Sequence, residues 1–182
     1  MKKYLNHYLY LFSIAGVIVA LDQWTKYLVR ANIAFGQTWM PVEWLSTYAR
    51  VVHWKNTGAA FGIFQNLGAF FTVLAFVVIG IIIYFFPQIP LVDWPMRVAM
   101  SMQLGGAAGN LIDRLARGYV TDFVSVGNFA VFNVADASIS VGVAVLIIGM
   151  WIQEKYHPQP QSDSENDLLE AETTDVVEGS LQ

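Results

Sequence analysis

The stretch LGAFFTVLAFVVIGIIIYFF, residues 67–86, contains twenty residues and not one charged side chain. An α-helix needs about 20 consecutive apolar residues to cross the roughly 30 Å hydrocarbon layer of a lipid bilayer. The stretch therefore predicts a membrane-spanning helix. The whole chain agrees, because 55% of its 182 residues are hydrophobic and its mean hydropathy is +0.47, which is unlike a water-soluble globular protein.

Three more apolar stretches of similar length occur on either side of this one. They are Tyr8–Tyr27, Val98–Leu115 and Val134–Gln153. The first follows a basic start and imitates a signal peptide, but it is long, lacks a clean cleavage site with small residues, and continues in helical register. We therefore predict that it is retained, and that residues 1–157 form one membrane-embedded domain, a mainly α bundle of four transmembrane helices.

The last segment, residues 158–182, differs in composition from the rest. It contains seven acidic residues, no Lys or Arg, and several Gln and Ser. Such a composition cannot bury enough apolar surface to fold, so we predict a disordered acidic tail and assign it no chemistry. The first 157 residues hold all ten basic residues and the other seven acids, which gives them a net charge of +3.

The connection between the first two spans, residues 31–66, is far longer than a turn in a helical bundle requires. It is rich in Trp, Tyr and Val and alternates roughly in places, which predicts short strands that form a small sheet at the membrane interface. Two interpretations stay open for Trp39, Trp44 and Trp54. They form either an aromatic belt at headgroup depth or a platform that helps to hold a substrate chain.

The polar residues of the spans gather at one membrane face. In an up-and-down bundle, the end of span one, the start of span two, the end of span three and the start of span four share a face. The unusual polar residues lie at those four places: Asp22, Lys26, Asn56, Asn110, Asp113, Arg114, Asp122, Asn133 and Asp136. The opposite face has only the short turn PQIPLVDWPMR, whose prolines indicate a break between helices. The pattern predicts a single polar site.

Each acid near hydrocarbon needs a partner or a role, because an ionised Asp there costs several kcal/mol by most estimates. Asp22 and Lys26 are four residues apart, so they can form an ion pair on one helix face. Asp113 precedes Arg114, and adjacent residues do not face each other on a helix. Asp113 is therefore interpreted as structural, while both a structural and a ligand-facing role stay open for Arg114.

Asp122 and Asp136 allow two interpretations. Asn133 can cap the fourth helix with Asp136 as the partner in a capping box, and Asp122 can be an ordinary loop acid. Alternatively, the two carboxyls meet at one mouth and share a proton, because like charges at short range do not both ionise cheaply. Such a pair can activate water as a base and protonate a leaving amine as an acid.

Other chemistries find little support. The chain has no cysteine, which excludes disulfides, thiolate metal sites and a cysteine nucleophile. The three histidines have no metal-like spacing, and neither a GxSxG motif nor a phosphate-binding loop occurs. Gly105 and Gly109 have GxxxG spacing, which predicts close helix packing. A small ion- or proton-coupled transporter is the alternative function, because intramembrane acids also serve proton relays.

Taken together, the motifs of residues 22–139 resemble the lipoprotein signal peptidase family, also called signal peptidase II. Five matching pieces follow each other in the family's order: DQWTK at 22–26, NTGAAF at 56–61, GNLIDR at 109–114, GYVTDF at 118–123 and FNVADASI at 132–139. The acidic tail lies outside the resemblance. Any one piece would be weak alone, but five in order are a strong signal.

The resemblance implies which residues form the site. The catalytic aspartates of the family's motifs correspond to Asp122 and Asp136. Substrate-binding or dyad-orienting roles are implied for Asn56, Asn110, Arg114 and Asn133. Supporting roles are implied for Asp22, Lys26, Gly58 and Asp113. No metal and no cofactor are implied.

The resemblance also implies a substrate and a location. The expected activity is an aspartic endopeptidase that removes the signal peptide of a prolipoprotein, just before a cysteine that already carries diacylglycerol. The enzyme would be a monomer in the bacterial inner membrane, in contact with lipids and not with nucleic acid, with its site and its sheet towards the extracytoplasmic face. The distribution of Lys and Arg does not by itself give this orientation.

Overall fold

The computed structural model describes residues 2–58 and 67–156, and in this part of the chain helices dominate. The helices are α1 (Lys2–Asn32), α2 (Gly68–Phe85), α3 (Trp94–Arg117) and α4 (Val134–Tyr156). The strands are β1 (Thr38–Trp39), β2 (Ala49–Asn56) and β3 (Val120–Val126), and short 3-10 turns occur at Glu43–Leu45 and Phe86–Gln88. The predicted mainly α fold with four helices and a small sheet is confirmed.

Three of the helices are long and apolar enough to cross a membrane, within Leu5–Asn32, Gly68–Gln88 and Val134–Ile152. The remaining helix, α3, has sufficient length but a more polar composition, because its buried face carries polar and charged side chains. Helices α1 and α3 extend beyond the apolar stretches that predict them. Backbone hydrogen bonding continues through the polar flanks of a helix, whereas hydropathy marks only its apolar part.

Helix α3 packs closely against α1 and α4 through its glycines. A Cβ atom on Gly105 would lie 2.8 Å from the Cβ of Ile18 in α1, and one on Gly109 would lie 2.7 Å from a carboxylate oxygen of Asp22. The packing role predicted for these two glycines is confirmed. Gly106 was not predicted, yet a Cβ there would lie 2.5 Å from the carbonyl oxygen of Ala135 in α4. Small residues allow such approach of helix backbones within a bilayer.

The apolar core lies where α1, α3 and the end of α2 meet. Its buried members are Leu11, Ala15, Ile82, Phe86, Ile89 and Leu104. The outward faces of the helices, in contrast, expose many large apolar side chains, as expected where lipid rather than water surrounds them.

The sheet is antiparallel, with the strand order β1-β2-β3. Strands β1 and β2 lie in the connection predicted to contain strands. Strand β3 lies between α3 and α4 and was not predicted. It pairs with β2 such that Trp54 faces Asp122 and Asn56 faces Val120, with a register irregularity between Val51 and Trp54. The sheet therefore ties the long first connection to the segment that precedes α4.

Residue contacts divide the chain into two units, Met1–Ile148 and Gly149–Gln182. In the second unit, the described residues continue α4 as far as Tyr156, with the Lys155 ammonium 5.3 Å from the centre of the Trp151 ring. The predicted disordered tail, residues 158–182, lies outside the described residues, as do residues 59–66 of the predicted cradle.

Candidate active site

Strand β3 and the first turn of α4 bring Asp122 and Asp136 into one hydrogen-bonded group beside a cavity of about 510 Å³. Asp136 is half-buried and lines the cavity. Asp122 is only 1% exposed and lies behind Asn56, which lines the cavity. Much of the remaining wall is apolar and includes Phe71, Val120, Phe129, Phe132 and Ile139.

Two asparagine amides hold the carboxyl group of Asp122. Asn56 Nδ2 donates a hydrogen bond to Asp122 Oδ2 over 2.8 Å, and Asn133 Nδ2 donates to Asp122 Oδ1 over 2.7 Å. Asn56 ends β2, and its own Oδ1 accepts a hydrogen bond from the backbone N–H of Gly58 over 2.9 Å. Gly58 is thus the residue that fixes the orientation of the Asn56 amide.

The carboxyl group of Asp136 has partners on both of its oxygens. Asn110 Nδ2 donates to Oδ1 over 2.8 Å, and the backbone N–H of Asn133 donates to Oδ2 over 3.2 Å. The backbone N–H of Asp136 in turn donates to Asn133 Oδ1 over 2.9 Å. This reciprocal pair is the capping box that the sequence suggested. Asn133 therefore binds both acids, and Asn110 and Asn133 are joined by a further hydrogen bond of 3.2 Å.

The environment of Asp122 favours its neutral form. Burial raises the pKa of Asp122 to about 7, and the nearby carboxylate of Asp136 adds to the rise. The hydrogen bonds from Asn56 and Asn133 and the positive charge of Lys26 act in the opposite direction and limit it. At neutral pH, Asp122 thus exchanges a proton readily, which is the property required of a general acid or base.

Behind the two acids lies a buried ion triad, formed by Asp22, Lys26 and Asp113. Lys26 Nζ is 2.8 Å from Asp22 Oδ2 and 3.3 Å from Asp113 Oδ2, and all three side chains are fully buried. The ion pair predicted for Asp22 and Lys26 is confirmed. Asp113 also accepts a hydrogen bond from Arg117 over 2.9 Å, so its charge is balanced from two helices.

Arg114 lies on a different side of α3 from Asp113, as adjacent residues on a helix do. Its side chain is half-buried and lines the cavity, and its guanidinium carbon is 5.6 Å from the centre of the Phe71 ring in α2. A guanidinium at a cavity wall provides several hydrogen-bond donors for carbonyl or phosphate oxygens. The ligand-facing interpretation of Arg114 therefore agrees with its position.

Two contacts at the site involve backbone N–H groups that carry no signal in the sequence. Asp22 Oδ1 accepts a hydrogen bond from the N–H of Ala135 over 3.0 Å, and Asp113 Oδ2 accepts one from the N–H of Thr121 over 3.0 Å. Gln23 was also not predicted, and it donates hydrogen bonds to Asp22 and to the carbonyl oxygen of Gly109. Every residue except Pro has a backbone N–H, so only the fold identifies the two that matter here.

The described residues contain no group of three or more His, Cys, Asp or Glu side chains that could hold a metal ion. The arrangement consists instead of two carboxyls, three asparagine amides and one guanidinium, of which Asp136, Asn56, Asn110 and Arg114 line the apolar cavity. Such a set can bind a peptide backbone through its amides and transfer protons through its carboxyls.

Comparison with known proteins gives a consistent result. Residues 14–152 match the family model described as signal peptidase (SPase) II. The lipoprotein signal peptidase of Shouchella clausii is 38% identical over 145 residues, which cover 78% of this chain and 93% of that protein. The lipoprotein signal peptidase of Enterococcus faecalis is 38% identical over 146 residues, which cover 79% of this chain and 89% of that protein.

Solved structures give the same picture for the fold. A bacterial membrane enzyme solved at 2.3 Å resolution matches with a TM-score of 0.74 and 29% identity, over 84% of this chain and 93% of that one. A second bacterial membrane enzyme, solved at 1.9 Å resolution, matches with a TM-score of 0.69 and 31% identity, over 77% of this chain and 91% of that one.

Proposed function

The chain belongs to the signal peptidase II family, and from this premise we propose that it is an aspartic endopeptidase that cleaves diacylglyceryl-modified prolipoproteins. Cleavage falls just before the lipidated cysteine of the lipobox and releases the signal peptide. The enzyme acts as a monomer in the bacterial inner membrane, with the sheet and the cavity towards the extracytoplasmic face. It uses neither a metal nor a cofactor.

One observation carries the proposed mechanism: Asn133 hydrogen-bonds to Asp122 and Asp136 at once, so the two carboxyls belong to one site. We call Asp122 and Asp136 the dyad. Two carboxyls in one network, with one of them largely buried, favour a state in which they hold a single proton. Burial raises the pKa of Asp122 to about 7, and we assign the single proton to Asp122 and the carboxylate to Asp136.

The reaction begins with a water molecule between the dyad and the scissile peptide bond. Asp136 removes a proton from the water, and the resulting hydroxide attacks the carbonyl carbon while the Asp122 carboxyl donates a hydrogen bond to the carbonyl oxygen. The tetrahedral intermediate then collapses as Asp136 returns its proton to the leaving nitrogen. The carbon–nitrogen bond breaks, and the products are a carboxylic acid and an amine.

Asn56, Asn110 and Arg114 have substrate-binding roles in this mechanism. Asn56 and Asn110 each line the cavity and each donate to one acid, and this supports our assignment of their amides to the binding of the substrate backbone. Arg114 provides a cation at the same wall. The apolar remainder of the cavity, with Phe71, suits the apolar residues of a signal peptide, while the two acyl chains of the substrate stay in the bilayer.

The test is cleavage of a synthetic diacylglyceryl lipopeptide by purified protein. Asp122→Asn and Asp136→Asn are each expected to lower kcat by about 10²–10⁴-fold. The amide group that replaces the carboxyl cannot act as the general acid or base in the reaction. Glu43→Gln is the matched control, since Glu43 is an exposed acid in the 3-10 turn before β2. EDTA should leave the wild-type rate unchanged.

Each variant is also checked for membrane insertion and thermal unfolding in detergent, so that a loss of activity can be separated from a loss of fold. Normal processing of the lipopeptide by either dyad variant would refute the mechanism. A wild-type protein that fails to cleave the lipopeptide would refute the activity itself.

A further inference from the structure

The ion triad occupies a position from which it reaches both members of the dyad. Asp22 accepts the N–H of Ala135, which immediately precedes Asp136 in α4. Asp113 accepts the N–H of Thr121, which immediately precedes Asp122 in β3. A buried carboxylate therefore holds the peptide N–H just before each acid of the dyad. The two carboxylates also bind one ammonium group, Asp22 through its Oδ2 and Asp113 through the Oδ2 that accepts the N–H of Thr121.

That ammonium group belongs to Lys26, and it also contacts the dyad through an asparagine. Lys26 Nζ donates a hydrogen bond to Asn110 Oδ1 over 2.9 Å, and Asn110 Nδ2 donates to Asp136 Oδ1 over 2.8 Å. An ammonium group can only donate, so the oxygen of the Asn110 amide must face Lys26 and its nitrogen must face Asp136. Asn133 Nδ2 donates to the same Asn110 oxygen over 3.2 Å, so Lys26 provides the shorter and the charged one of the two hydrogen bonds that hold the amide in this orientation.

The positive charge of Lys26 favours the ionised form of the nearby carboxyl groups, as does the orientation in which it holds the Asn110 amide. Lys26 is 0% exposed, so water screens its field poorly, and a nearby positive charge favours the ionised form of a carboxyl group. The other charges that face the dyad are Asp22 on α1 and Arg114 on α3, and Arg30 and Arg117 act on Asp113. Among the cations of the described residues, Lys26 is distinguished by its hydrogen bond to an asparagine that binds the dyad.

We propose that Lys26 is a positioning residue of the dyad, which orients the Asn110 amide and sets the pH range over which the two carboxyls hold a single proton. This inference rests on the proposed peptidase function and extends it. Lys26 is fully buried and is not among the residues that line the cavity, so we expect it to make no contact with the substrate. Its removal should therefore affect kcat and the pH dependence of the rate, and should leave KM nearly unchanged.

The first variant is Lys26→Met, which preserves most of the side-chain volume and removes the charge. Both limbs of the pH profile of kcat/KM are expected to move to higher pH by about one unit, because the ionised forms of the dyad lose a neighbouring cation. An infrared titration of the protonated carboxyl band should show the same shift without any substrate. Lys155→Met near the end of α4 is the matched control, and its profile should coincide with that of the wild type.

Two companion variants keep the test decisive if Lys26→Met does not fold. Asp22→Asn/Lys26→Met removes one buried charge of each sign, and the amide oxygen that replaces the Asp22 carboxylate can still accept the N–H of Ala135. The limbs should again move upwards, but less, because Asp22 itself disfavours a second negative charge on the dyad. Lys26→Arg retains the charge, and its limbs should stay at the wild-type positions even where kcat falls.

The role of Lys26 is refuted if folded Lys26→Met or Asp22→Asn/Lys26→Met protein loses activity while its pH limbs and its infrared titration stay in place. It is also refuted if Lys26→Arg moves the limbs as far as Lys26→Met does. In either case wild-type cleavage would leave the peptidase proposal intact. If the wild-type protein does not cleave the lipopeptide but the infrared shift is observed, the peptidase proposal fails and the effect of Lys26 on the two carboxyls remains demonstrated.

Discussion

Asn133 is the residue on which the geometry of the two acids depends most directly. From the residues alone, a capping box at the start of α4 and a pair of catalytic carboxyls were alternatives. The structure shows that they are compatible, because the box occupies Oδ2 of Asp136 and leaves Oδ1 to Asn110. Conventional helix capping thus also fixes the orientation of a site residue. Within the described residues, the sequence motifs contain the three side chains that hydrogen-bond to Asp122 or Asp136, which are Asn56, Asn110 and Asn133, but the catalytic roles stay predictions.

At the scale of single residues, the raised pKa of Asp122 predicts how the rate depends on pH. The mechanism requires a proton on Asp122, and burial beside Asp136 raises its pKa to about 7. We therefore expect kcat/KM to follow a bell-shaped profile whose alkaline limb lies near pH 7. The measurement is the initial rate of lipopeptide cleavage across the pH range. A rate that stays constant from pH 6 to about pH 9 would contradict the assigned role of Asp122.

The same shift affects stability with a defined sign. A carboxyl group whose pKa is higher in the folded than in the unfolded protein binds its proton more tightly when folded. The stability it contributes is fully present below the unfolded value of 3.8 and is lost as the pH rises towards about 7. The thermal stability of Asp122→Asn relative to wild type should therefore increase across that window, since an amide does not titrate.

At the scale of elements, β3 is the part of the fold that sequence reasoning missed. The segment VTDFVSV contains four β-branched residues and a Phe among its seven residues, which is a strand signal. The signal is easily missed because the segment is short and a long apolar span follows it. The consequence is considerable, since pairing with β2 brings Asn56 next to Asp122. The helices, in contrast, were predictable because about 20 apolar residues in a row have few other structures available in a bilayer.

The close approach of α3 and α4 leads to a prediction about Gly106. A methyl group at this position would collide with the Ala135 carbonyl oxygen and with Ser138 and Ile139, in the turn that carries Asp136. Gly106→Ala should therefore destabilise the protein by about 1–3 kcal/mol and lower kcat. Gly80→Ala in α2 is the matched control, because a Cβ atom there meets nothing within 4 Å. Thermal unfolding in detergent and lipopeptide cleavage measure both effects, and equal behaviour of the two variants would contradict this account of the packing.

At the scale of the whole molecule, the lipid-facing surface is well marked, but the number of Lys and Arg residues on each side does not give the orientation of the protein in the membrane. Three helices carry exposed Leu, Ile, Val and Phe along their length, which defines the part that lipid covers. The basic residues that would mark the cytoplasmic side are partly used elsewhere. Lys26, Arg30 and Arg117 are bound to acids of the buried network, so their position follows from the site and not from topology.

The proposed orientation can be tested because the chain contains no native cysteine. Ser46→Cys places a thiol in the exposed loop between β1 and β2, and Val92→Cys places one in the turn between α2 and α3, where Val92 is 79% exposed. A membrane-impermeant maleimide added to intact spheroplasts should label the first variant only. Labelling of both should follow permeabilisation. The reverse pattern in intact spheroplasts would place the sheet in the cytoplasm.

Helix α3 also has a buried cation near its first residue, at the end opposite to the ion triad. Arg97 donates hydrogen bonds to His7 Nδ1 over 3.1 Å and to the Ile89 carbonyl oxygen over 3.2 Å, and it lies over the ring of Phe86. With the ion triad near its opposite end, α3 is fastened to α1 at two places along its length. A sliding motion of one helical turn, about 5.4 Å, would break both fastenings at once. These contacts at both ends oppose sliding of α3 along α1, so we expect the entry and exit of a lipid-borne peptide to involve movement of the elements around α3.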